Sequence, residues 1–452
     1  MVSFASQLLT GHLAFLAGAS RIYIAYSGGL DSSVLLRAAS AELQHTKLRA
    51  VHINHQLSPN SGRWQEHCRQ VCAQLAIPFI DHQLRIEATG EGLEQAARRA
   101  RYNYFQTLLE PGDFLLMAHH QDDQVETLLY RMLRGSGPKG LAGMPATRAL
   151  GEGQLLRPLL AYSREQLEAY AAHHHIHWIH DESNDATTFD RNYLRHDVIP
   201  AIAQRWPDYR QRLVRSAAQC AKAHRLLVER AEEDFVAVDR RPERLGASID
   251  LAAFTALSVE RQHNLLREWV SAEGLEPFGL HALNAVAVDL VSARKDAAPQ
   301  VLWRGGQFRR FRNRLFLLPP QPWGQEAPEA GSCRADVLAV SDIASPLALG
   351  DGFELRFAAG QGCNALRIDP TDKIDIRFRQ GGERCRPVGR SGSAPLKKLF
   401  QEYGLEPWLR KLAPLVYING ELAAVADLFV CAGHDCDADE AGVGLRWSVA
   451  AL

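Results

Sequence analysis

The sequence predicts an α/β fold that begins with a doubly wound parallel sheet. Between residues 20 and 145, short apolar runs typical of buried strands alternate with longer segments of helical periodicity. A turn rich in glycine and serine joins the first of these strands to the helix that follows it. Strands that alternate with helices in this way lie parallel, and parallel sheets of this kind bind ligands at the carboxyl ends of their strands.

The elements of this first region follow one another regularly. Strands are predicted at 21–26, 48–55, 79–85 and 114–119, and helices at 32–44, 63–76, 92–109 and 121–134. A further helix is predicted at 165–174, because Ser163 and Gln166 have the spacing of a capping box. The glycine-rich turn and the segment after the fourth strand should therefore lie on the same edge of the sheet.

We divide the chain into three domains and one linker. The N-terminal domain spans 1–215 and is followed by a helical middle domain at 216–320, with helices expected at 208–237, 259–273 and 280–293. Four prolines mark a linker at 321–334 and the residues just before it. The last domain, 335–452, is expected to be a small α+β domain with one helix at 396–403.

Composition limits the class of protein. The net charge of −1 excludes a globally basic nucleic-acid-binding chain, so any basic surface must be local. The eight cysteines include no C-x-x-C pair, and Cys68 and Cys72 have the spacing of packed neighbours on a helix. No window has about 18 consecutive apolar residues. We therefore expect a cytoplasmic, soluble protein with reduced cysteines and no membrane partner.

The glycine-rich turn carries the most specific chemistry. It consists of Ser27, Gly28, Gly29, Leu30, Asp31 and Ser32. Two glycines allow close backbone approach, and the N–H groups at a helix start attract an anion. A carboxylate beside phosphate is repulsive unless a cation lies between them, so Asp31 indicates Mg²⁺ bound with a nucleotide. The alternative is an ordinary capped turn; a Walker loop is excluded because its G-x-x-x-x-G-K-[ST] pattern is absent.

A second polar segment, 118–127, follows the fourth strand. His119 and His120 are adjacent and should point to opposite faces of a strand, which disfavours one metal site for both. Asp123 and Glu126 are three residues apart, so their carboxylates share one helix face and could hold a cationic substrate. Acidic residues also stabilise the first turn of any helix, which is the simpler interpretation for Asp122 and Asp123.

Basic residues mark three candidate contacts with nucleic acid. Gly135, Gly137 and Gly140 form a G-x-G-x-x-G that follows a helix, which excludes a dinucleotide fingerprint but leaves room for an RNA strand near Arg134 and Lys139. Arg191 and Arg195 are four residues apart and could bind phosphate or pair with Asp181 or Asp185.

The third basic segment is the longest. Residues 377–411 contain nine basic and three acidic residues, a net charge of +6 that suits an RNA backbone unless it is an ordinary solvated face. Its candidate RNA contacts are Arg384, Arg386, Lys397 and Lys398.

These motifs together resemble a known family. Ser-Gly-Gly-x-Asp-Ser is similar to the pyrophosphate-binding loop of the ATP-pyrophosphatase superfamily, whose catalytic domain has an adenine nucleotide α-hydrolase-like fold. The His-His-x-x-Asp-Gln-x-Glu-Thr and Arg-Gly-Ser-Gly-x-x-Gly-Leu segments, together with blocks at 181–195 and 384–400, resemble the tRNA(Ile)-lysidine synthase family. The resemblance covers both ends of the chain and leaves only the middle domain without a motif.

The resemblance implies a reaction in two steps. ATP adenylates the C2 oxygen of the wobble cytidine in an isoleucine tRNA with a CAU anticodon, and the ε-amine of free lysine then displaces AMP. It implies that residues 27–32 bind ATP, that Asp31 binds Mg²⁺, and that Asp31, Asp123 and Glu126 are catalytic. Asp123, Glu126 and Arg101 would bind lysine. Arg98 and Arg101 could bind the lysine carboxylate or balance phosphate charge, or they could equally form a solvated helix face.

Three other functions remain to be weighed. A tRNA 2-thiolation enzyme on the same fold would need paired cysteines, and an amide synthetase would need no basic C-terminal domain. A non-catalytic RNA-binding protein would not need Asp31, Asp123 and Glu126. The sequence leaves open the oligomeric state, a homodimer included, and the identity of the general base.

Overall fold

A computed structural model of the protein describes residues 7–56, 58–84, 93–180, 190–293, 299–320, 345–350 and 352–449. The chain forms two compact units, 1–226 and 227–452. The expected linker at 321–334 and the two acidic candidates Asp181 and Asp185 lie outside the described residues. Among the helices that the structure describes, none combines the length and the apolar character needed to span a membrane.

The first unit is built on a six-stranded sheet in the order β3-β2-β1-β4-β6-β5. Its strands are β1 (Ile22–Ala25), β2 (Leu48–Asn54), β3 (Phe79–Gln83), β4 (Phe114–Leu116), β5 (Thr147–Leu150) and β6 (Gly153–Leu156). All neighbours are parallel except β5 and β6, which form an antiparallel hairpin. The four predicted strands are confirmed, each ending one to three residues earlier than expected, and the hairpin is an addition.

Helices cover both faces of this sheet, as predicted. They are α1 (Leu13–Ala17), α2 (Leu30–Glu42), α3 (Ser61–Gln74), α4 (Leu93–Leu108), α5 (Gln121–Leu133), α6 (Pro138–Leu141), α7 (Arg164–His173), α8 (Asp190–Tyr193), α9 (Ile199–Arg205) and α10 (Tyr209–Ala237). The capping box at Ser163 and Gln166 is present at the start of α7. A π-helical turn, Leu194–Val198, joins α8 to α9, and α10 continues into the second unit.

Alternating side chains of β1 contribute to two separate cores. Ile24 packs in the core that contains Val34 of α2, whereas Tyr23 packs with Phe105 of α4 in the other. This follows from the two-residue period of a strand. It places α2 and α4 on opposite faces of the sheet.

The first half of the second unit contains helices and also a sheet that was not predicted. Helices α11 (Leu251–Thr255), α12 (Val259–Ala272) and α13 (Leu280–Ala285) pack on strands β7 (Arg241–Pro242), β8 (Ala247–Asp250), β9 (Gln300–Trp303), β10 (Gly306–Phe311) and β11 (Arg314–Leu318). The sheet is antiparallel, in the order β7-β8-β11-β10-β9. The helix expected at 280–293 is α13 followed by a π-helical turn, Val286–Leu290.

The second half of this unit is the expected small α+β domain. Its elements are β12 (Leu347–Gly350), β13 (Phe353–Gln361), β14 (Ile374–Phe378), β15 (Arg384–Cys385), β16 (Ala394–Pro395), α14 (Leu396–Glu402), β17 (Pro414–Ile418), β18 (Glu421–Val425), β19 (Phe429–Val430) and β20 (Ala441–Val449). They form three antiparallel sheets, β12-β13-β20, β14-β17-β18-β19 and β15-β16.

One cysteine pair differs from the expectation of fully reduced thiols. Cys385 and Cys431 form a disulfide, although 46 residues separate them in sequence. Pro387 pairs with Cys431 through an isolated β-bridge, and this bridge brings the two cysteines together. A search for closely spaced cysteines cannot detect such a pair, because the fold alone makes the two residues neighbours.

Candidate functional site

The glycine loop, residues 27–32, connects β1 to α2 and is held by its own serines. Ser32 Oγ accepts from the backbone N–H of Ser27 at 3.2 Å and donates to the carbonyl of Gly29 at 3.1 Å. Ser33 Oγ donates to the carbonyl of Gly28 at 3.3 Å. Gly29 is the N-cap of α2, and none of the side chains in the described part caps it. The first N–H groups of α2 are therefore available to an anion.

Gly28 must be glycine for two reasons. Its φ of +88° is in the left-handed region that side chains disfavour. A Cβ would also come within 2.8 Å of Ile179 Cδ1 and 2.9 Å of Cys68 Sγ. The backbone N–H of Ile179 donates to the Gly28 carbonyl at 2.9 Å, so the loop is fixed from behind.

Asp31 lies in the first turn of α2 and faces His120, the N-cap of α5. The Nε2 atom of His120 is 3.6 Å from Asp31 Oδ2 and equally 3.6 Å from Asp123 Oδ2. Asp31 Oδ1 is buried and has no hydrogen-bond partner among the described residues. Burial raises the pKa of Asp31, but His120, Arg164 and Arg195 together outweigh it, and the net shift is downward. Asp31 is thus an ionised carboxylate with one unused oxygen.

His120 is the centre of a group of three carboxylates, those of Asp31, Asp122 and Asp123. Its side chain is only 1% exposed. Burial lowers its pKa, but Asp122 and Asp31 raise it more, to about 10. In the structure, His120 Nδ1 accepts a hydrogen bond from the Asp122 N–H at 3.2 Å. A protonated ring cannot accept this hydrogen bond, but its positive charge is attracted to the three carboxylates. The positive charge of His120 therefore offsets part of the negative charge of the three carboxylates before any substrate binds.

Asp122 is tied into the scaffold rather than directed at a ligand. Its Oδ1 accepts from Arg210 Nε at 2.6 Å, and its Oδ2 accepts from the backbone N–H of Arg164 at 2.9 Å. Against the raising effect of burial, the nearby His120 and the hydrogen bonds from Arg164 and Arg210 hold the pKa of Asp122 far below its usual range. Arg210, which approaches from α10, was not among the predicted site residues.

Asp123 and Glu126 do share one helix face, as predicted, but that face already contains a cation. Arg195 donates from Nε to Glu126 Oε1 at 2.6 Å and from Nη2 to Oε2 at 3.0 Å, and its Nη2 is 3.5 Å from Asp123 Oδ1. Glu126 is 3% exposed, and burial raises its pKa against the lowering effect of Arg195.

This pairing bears on two expectations, lysine binding by Glu126 and RNA binding by Arg195. Both oxygens of Glu126 accept hydrogen bonds from Arg195. The Arg195 guanidinium in turn pairs with the carboxylates of Glu126 and Asp123. Asp123 retains a partly exposed side chain at this edge of the sheet, with 21% of it accessible.

The glycine-rich segment after α5 folds back onto that helix. Arg131 Nη1 donates to the carbonyls of Gly140 and Gly143, each at 2.8 Å, and Gln124 binds both the N–H and the carbonyl of Met144. The exposed Arg134 ends α5, with its Nη1 3.1 Å from the Tyr130 hydroxyl, and the exposed Lys139 lies in α6. Half-buried Arg191 donates to Thr127 Oγ1 at 2.9 Å.

His119 contacts Arg157 rather than the carboxylates around His120, although both histidines lie beyond the end of β4 at Leu116. Its Nδ1 accepts from Arg157 Nε at 3.2 Å. Burial and the charge of Arg157 keep its pKa well below the usual range, so the ring is neutral. Arg157 immediately follows β6, and sequence reasoning missed it because this short strand was not predicted.

The four C-terminal candidates lie close together on one hairpin and the helix that follows it. Arg384 in β15 pairs in register with Pro395 in β16, which is the N-cap of α14, and Lys397 and Lys398 are in its first turn. Arg384, Arg386 and both lysines are exposed. Lys398 lies 3.9 Å from Glu402, whereas the other three form no ion pair with the residues that the structure describes. We call these four residues the C-terminal basic surface.

Comparison with known proteins extends the match over nearly the whole chain. Residues 3–202 match the model of the PP-loop domain, 249–316 the TilS substrate binding domain, and 374–447 the TilS substrate C-terminal domain. The tRNA(Ile)-lysidine synthase of Alkalilimnicola ehrlichii is 41% identical over 93% of this chain and 93% of its own length. The chain belongs to the tRNA(Ile)-lysidine synthase family.

Other relatives in the tRNA(Ile)-lysidine synthase family match equally broadly. The Coxiella burnetii protein is 37% identical over 99% of this chain and 96% of its own, and the Pectobacterium atrosepticum protein is 39% identical over 92% and 91%. Each of the three family models falls within one of the three domains expected from the sequence. The PP-loop match supports the use of ATP at the glycine loop.

Proposed function

We propose that this protein ligates lysine to C2 of the wobble cytidine in isoleucine tRNA with a CAU anticodon, using ATP. The observation that carries the proposal is the near-complete match to tRNA(Ile)-lysidine synthases, in a chain that retains the glycine loop and Asp31. The cytidine C2 oxygen attacks the α-phosphorus of ATP, and pyrophosphate leaves. The lysine ε-amine then attacks C2 and loses a proton, and AMP leaves.

The glycine loop would hold the phosphates of ATP during the first step. The N–H groups at the start of α2 and the hydroxyl of Ser27 face an anion bound there, and Gly28 lets it approach the backbone. Both effects favour the departure of pyrophosphate, because they stabilise the negative charge that develops on it.

Asp31 is the residue that would hold Mg²⁺. Its ionised carboxylate has a buried oxygen without a hydrogen-bond partner in the described residues, which fits a cation ligand. No three His, Cys, Asp or Glu side chains gather as a ligand set in the described part of the chain. That fits Mg²⁺, which usually binds one or two carboxylates and completes its shell with phosphate and water. Bound Mg²⁺ would neutralise the charge of the phosphates.

Asp123 is our candidate for the lysine ammonium group. The side chain of free lysine has a pKa of about 10.4, so it arrives protonated and must lose a proton before it can attack. Asp123 is partly exposed at the sheet edge, whereas Glu126 is buried against Arg195. We therefore assign Glu126 a positioning role: it holds Arg195 and so limits how strongly Arg195 competes for Asp123. Arg101 remains a candidate for the lysine carboxylate.

The buried cysteines weaken the thiolation alternative. Burial raises the pKa of both Cys68 and Cys72 to about 12, which disfavours the thiolate that a sulfur carrier needs. A cytoplasmic location accompanies the proposal, since free lysine, ATP and tRNA meet there.

The test is to incubate the full chain with ATP, Mg²⁺, radiolabelled lysine and the isoleucine tRNA transcript. We expect label in the tRNA together with AMP and pyrophosphate, and neither with a transcript whose wobble position is changed from C to G. AMP formation without lysine incorporation would contradict the proposal and favour another acceptor for the activated cytidine.

A further inference from the structure

A cavity of about 310 Å³ lies on the α4 side of the N-terminal sheet. It is lined by Arg98, Tyr102, Arg131, Met144, Pro145, Arg148 and Arg157, so four of its seven lining residues are arginines and none is acidic. We call it the arginine cavity. Its volume is near the lower limit of ligand pockets, which range over roughly 300–1,000 Å³.

The four guanidinium groups are held in place by neutral groups. Arg131 donates to two glycine carbonyls, and Arg157 donates to His119 and, at 2.8 Å, to the Pro145 carbonyl. Arg98 and Arg148 lie over the ring of Tyr102, with their Cζ atoms 5.0 Å and 5.1 Å from its centroid. Among the residues that the structure describes, no carboxylate forms an ion pair with any of the four.

Positive charge therefore accumulates here without compensation. Arg157 is only 4% exposed, and a buried charge is costly unless an opposite charge accompanies it. Burial and the neighbouring charge of Arg98 lower the pKa of both Arg131 and Arg157. Burial raises the pKa of Tyr102, yet Arg98 and Arg157 outweigh it and lower the net value. An anion in the cavity would remove this imbalance.

The candidate ligands of the arginine cavity are lysine, ATP and RNA, and their charges show which of them fits. Free lysine carries one carboxylate and two ammonium groups at neutral pH, so four guanidinium groups would repel it overall. The phosphates of ATP belong to the glycine loop, which continues into α2 on the other side of the sheet. A phosphodiester brings a negative charge without an accompanying cation, and guanidinium groups match its oxygens.

We propose that the arginine cavity binds a backbone phosphate of the RNA substrate and so fixes the RNA strand beside the reacting nucleotide. The proposal rests on the proposed function for its choice of RNA. His119 and His120 are adjacent, and they link the cavity through Arg157 on one side to Asp31 on the other. The segment that follows β4 thus connects the arginine cavity to the nucleotide site.

The experiment uses two single substitutions in the full chain, Arg98→Gln and Arg148→Gln. Arg148 is exposed and contributes little to packing, so its loss should not unfold the protein. The matched control is Arg37→Gln, an exposed arginine on α2. Affinity for the isoleucine tRNA transcript is measured over a salt series without ATP or lysine. The lysine KM is measured separately at saturating tRNA.

We expect each cavity variant to bind tRNA about 3- to 10-fold more weakly and to lower the salt slope of log K by up to about 1, with an unchanged lysine KM. The Arg37→Gln protein should match wild type in both measurements. A raised lysine KM with wild-type tRNA affinity would overturn the proposal and assign the cavity to the lysine carboxylate. Wild-type behaviour in both measurements would overturn it as well.

Failure of the proposed function gives a different result. If the wild-type chain forms no lysidine but the cavity variants still lose tRNA affinity, the phosphate site stands and the reaction must be reassigned. The binding series needs no turnover, so the two outcomes are separable.

Discussion

Charged side chains at the edge of the N-terminal sheet are buried and bound to one another, whereas those of the C-terminal basic surface are exposed. Glu126 is 3% exposed and bidentate with Arg195, and His120 lies among three aspartates. Arg384, Arg386 and Lys397 are exposed and form no ion pair with a described residue. Buried, fixed charges act on atoms within a few ångströms, while exposed charges act through a field that salt screens. The first arrangement suits bond making and the second suits RNA capture.

The strongest test of this contrast is Asp31→Asn. We expect tRNA-dependent pyrophosphate release to fall by roughly 100- to 1,000-fold, because the carboxylate that would hold Mg²⁺ at the reacting phosphates is lost. Thermal unfolding should change little, since Asp122 and Asp123 still face His120. The control is Asp208→Asn, which removes an exposed carboxylate near Arg212 in the same unit. Wild-type pyrophosphate release by Asp31→Asn would contradict the assignment of the glycine loop.

Glu126→Gln tests whether this residue acts through Arg195. A glutamine can accept only one of the two hydrogen bonds, so Arg195 should turn toward Asp123 and compete with the lysine ammonium group. We expect the lysine KM to rise by roughly 10- to 100-fold, the usual cost of a charge-assisted contact, with ATP affinity unchanged. The exposed Glu165, paired with Arg210, provides the control Glu165→Gln. Lost ATP affinity with a normal lysine KM would instead place Glu126 in the nucleotide site.

The half-buried His55, which follows β2, predicts a loss of stability in acid. Burial, together with Arg101, lowers the pKa of His55 to about 4. The unfolded chain binds the proton near pH 6.5, and the folded chain does not, so the stabilisation is complete above pH 6.5 and falls toward pH 4. His55 is only half-buried, so solvent screening reduces the effect, and between pH 6.5 and 4.5 His55→Gln should lose roughly 1 kcal/mol less stability than wild type. Equal pH dependence in the two proteins, measured by urea unfolding, would show that His55 titrates normally.

The smallest effect is expected at the C-terminal basic surface. Replacing Lys397 and Lys398 together by alanine should weaken tRNA binding several-fold and lower the salt slope of log K by up to about 2. ATP and lysine affinities should stay at wild-type values. Lys373→Ala with Arg446→Ala removes the same charge from other exposed positions of the second unit. Parallel salt plots for both double variants would mean that the surface has no specific role in tRNA binding.

The four parallel strands and main helices of the N-terminal domain could be predicted from the sequence. Hydrophobic periodicity and the residue types at the ends of these elements agree there. The four parallel strands, the capping box at Ser163 and the strand-to-helix turn at Gly28 all depend on local patterns. The middle sheet was missed because its strands are only two to six residues long, and because α11, α12 and α13 separate β7 and β8 from the other three strands. The disulfide between Cys385 and Cys431 was missed because it depends on tertiary structure.

Prediction of the candidate site was limited in the same way, because contacts between distant segments leave no local pattern. Residue types and spacing identified Asp31, Asp123 and Glu126, and the structure brings Asp31 and Asp123 to one histidine. Spacing could not reveal that Arg195 neutralises Glu126 or that Arg210 binds Asp122, since both arginines come from segments about 70 or more residues away in sequence. Arg157 could have been found by the rule that led to His119, had β6 been recognised as a parallel strand.

The adjacent residues His119 and His120 constrain the length of this segment as well as its residue types. His120 contacts Asp31 of α2 and two aspartates of α5, and His119 contacts Arg157 after β6. Inserting one residue between Phe114 and His119 would bring His119 to the aspartates and put Ala118 beside Arg157. Deleting one residue would bring His120 to Arg157 and put Gln121 among the aspartates. A change in length would therefore leave only one of the two charged clusters with an imidazole ring.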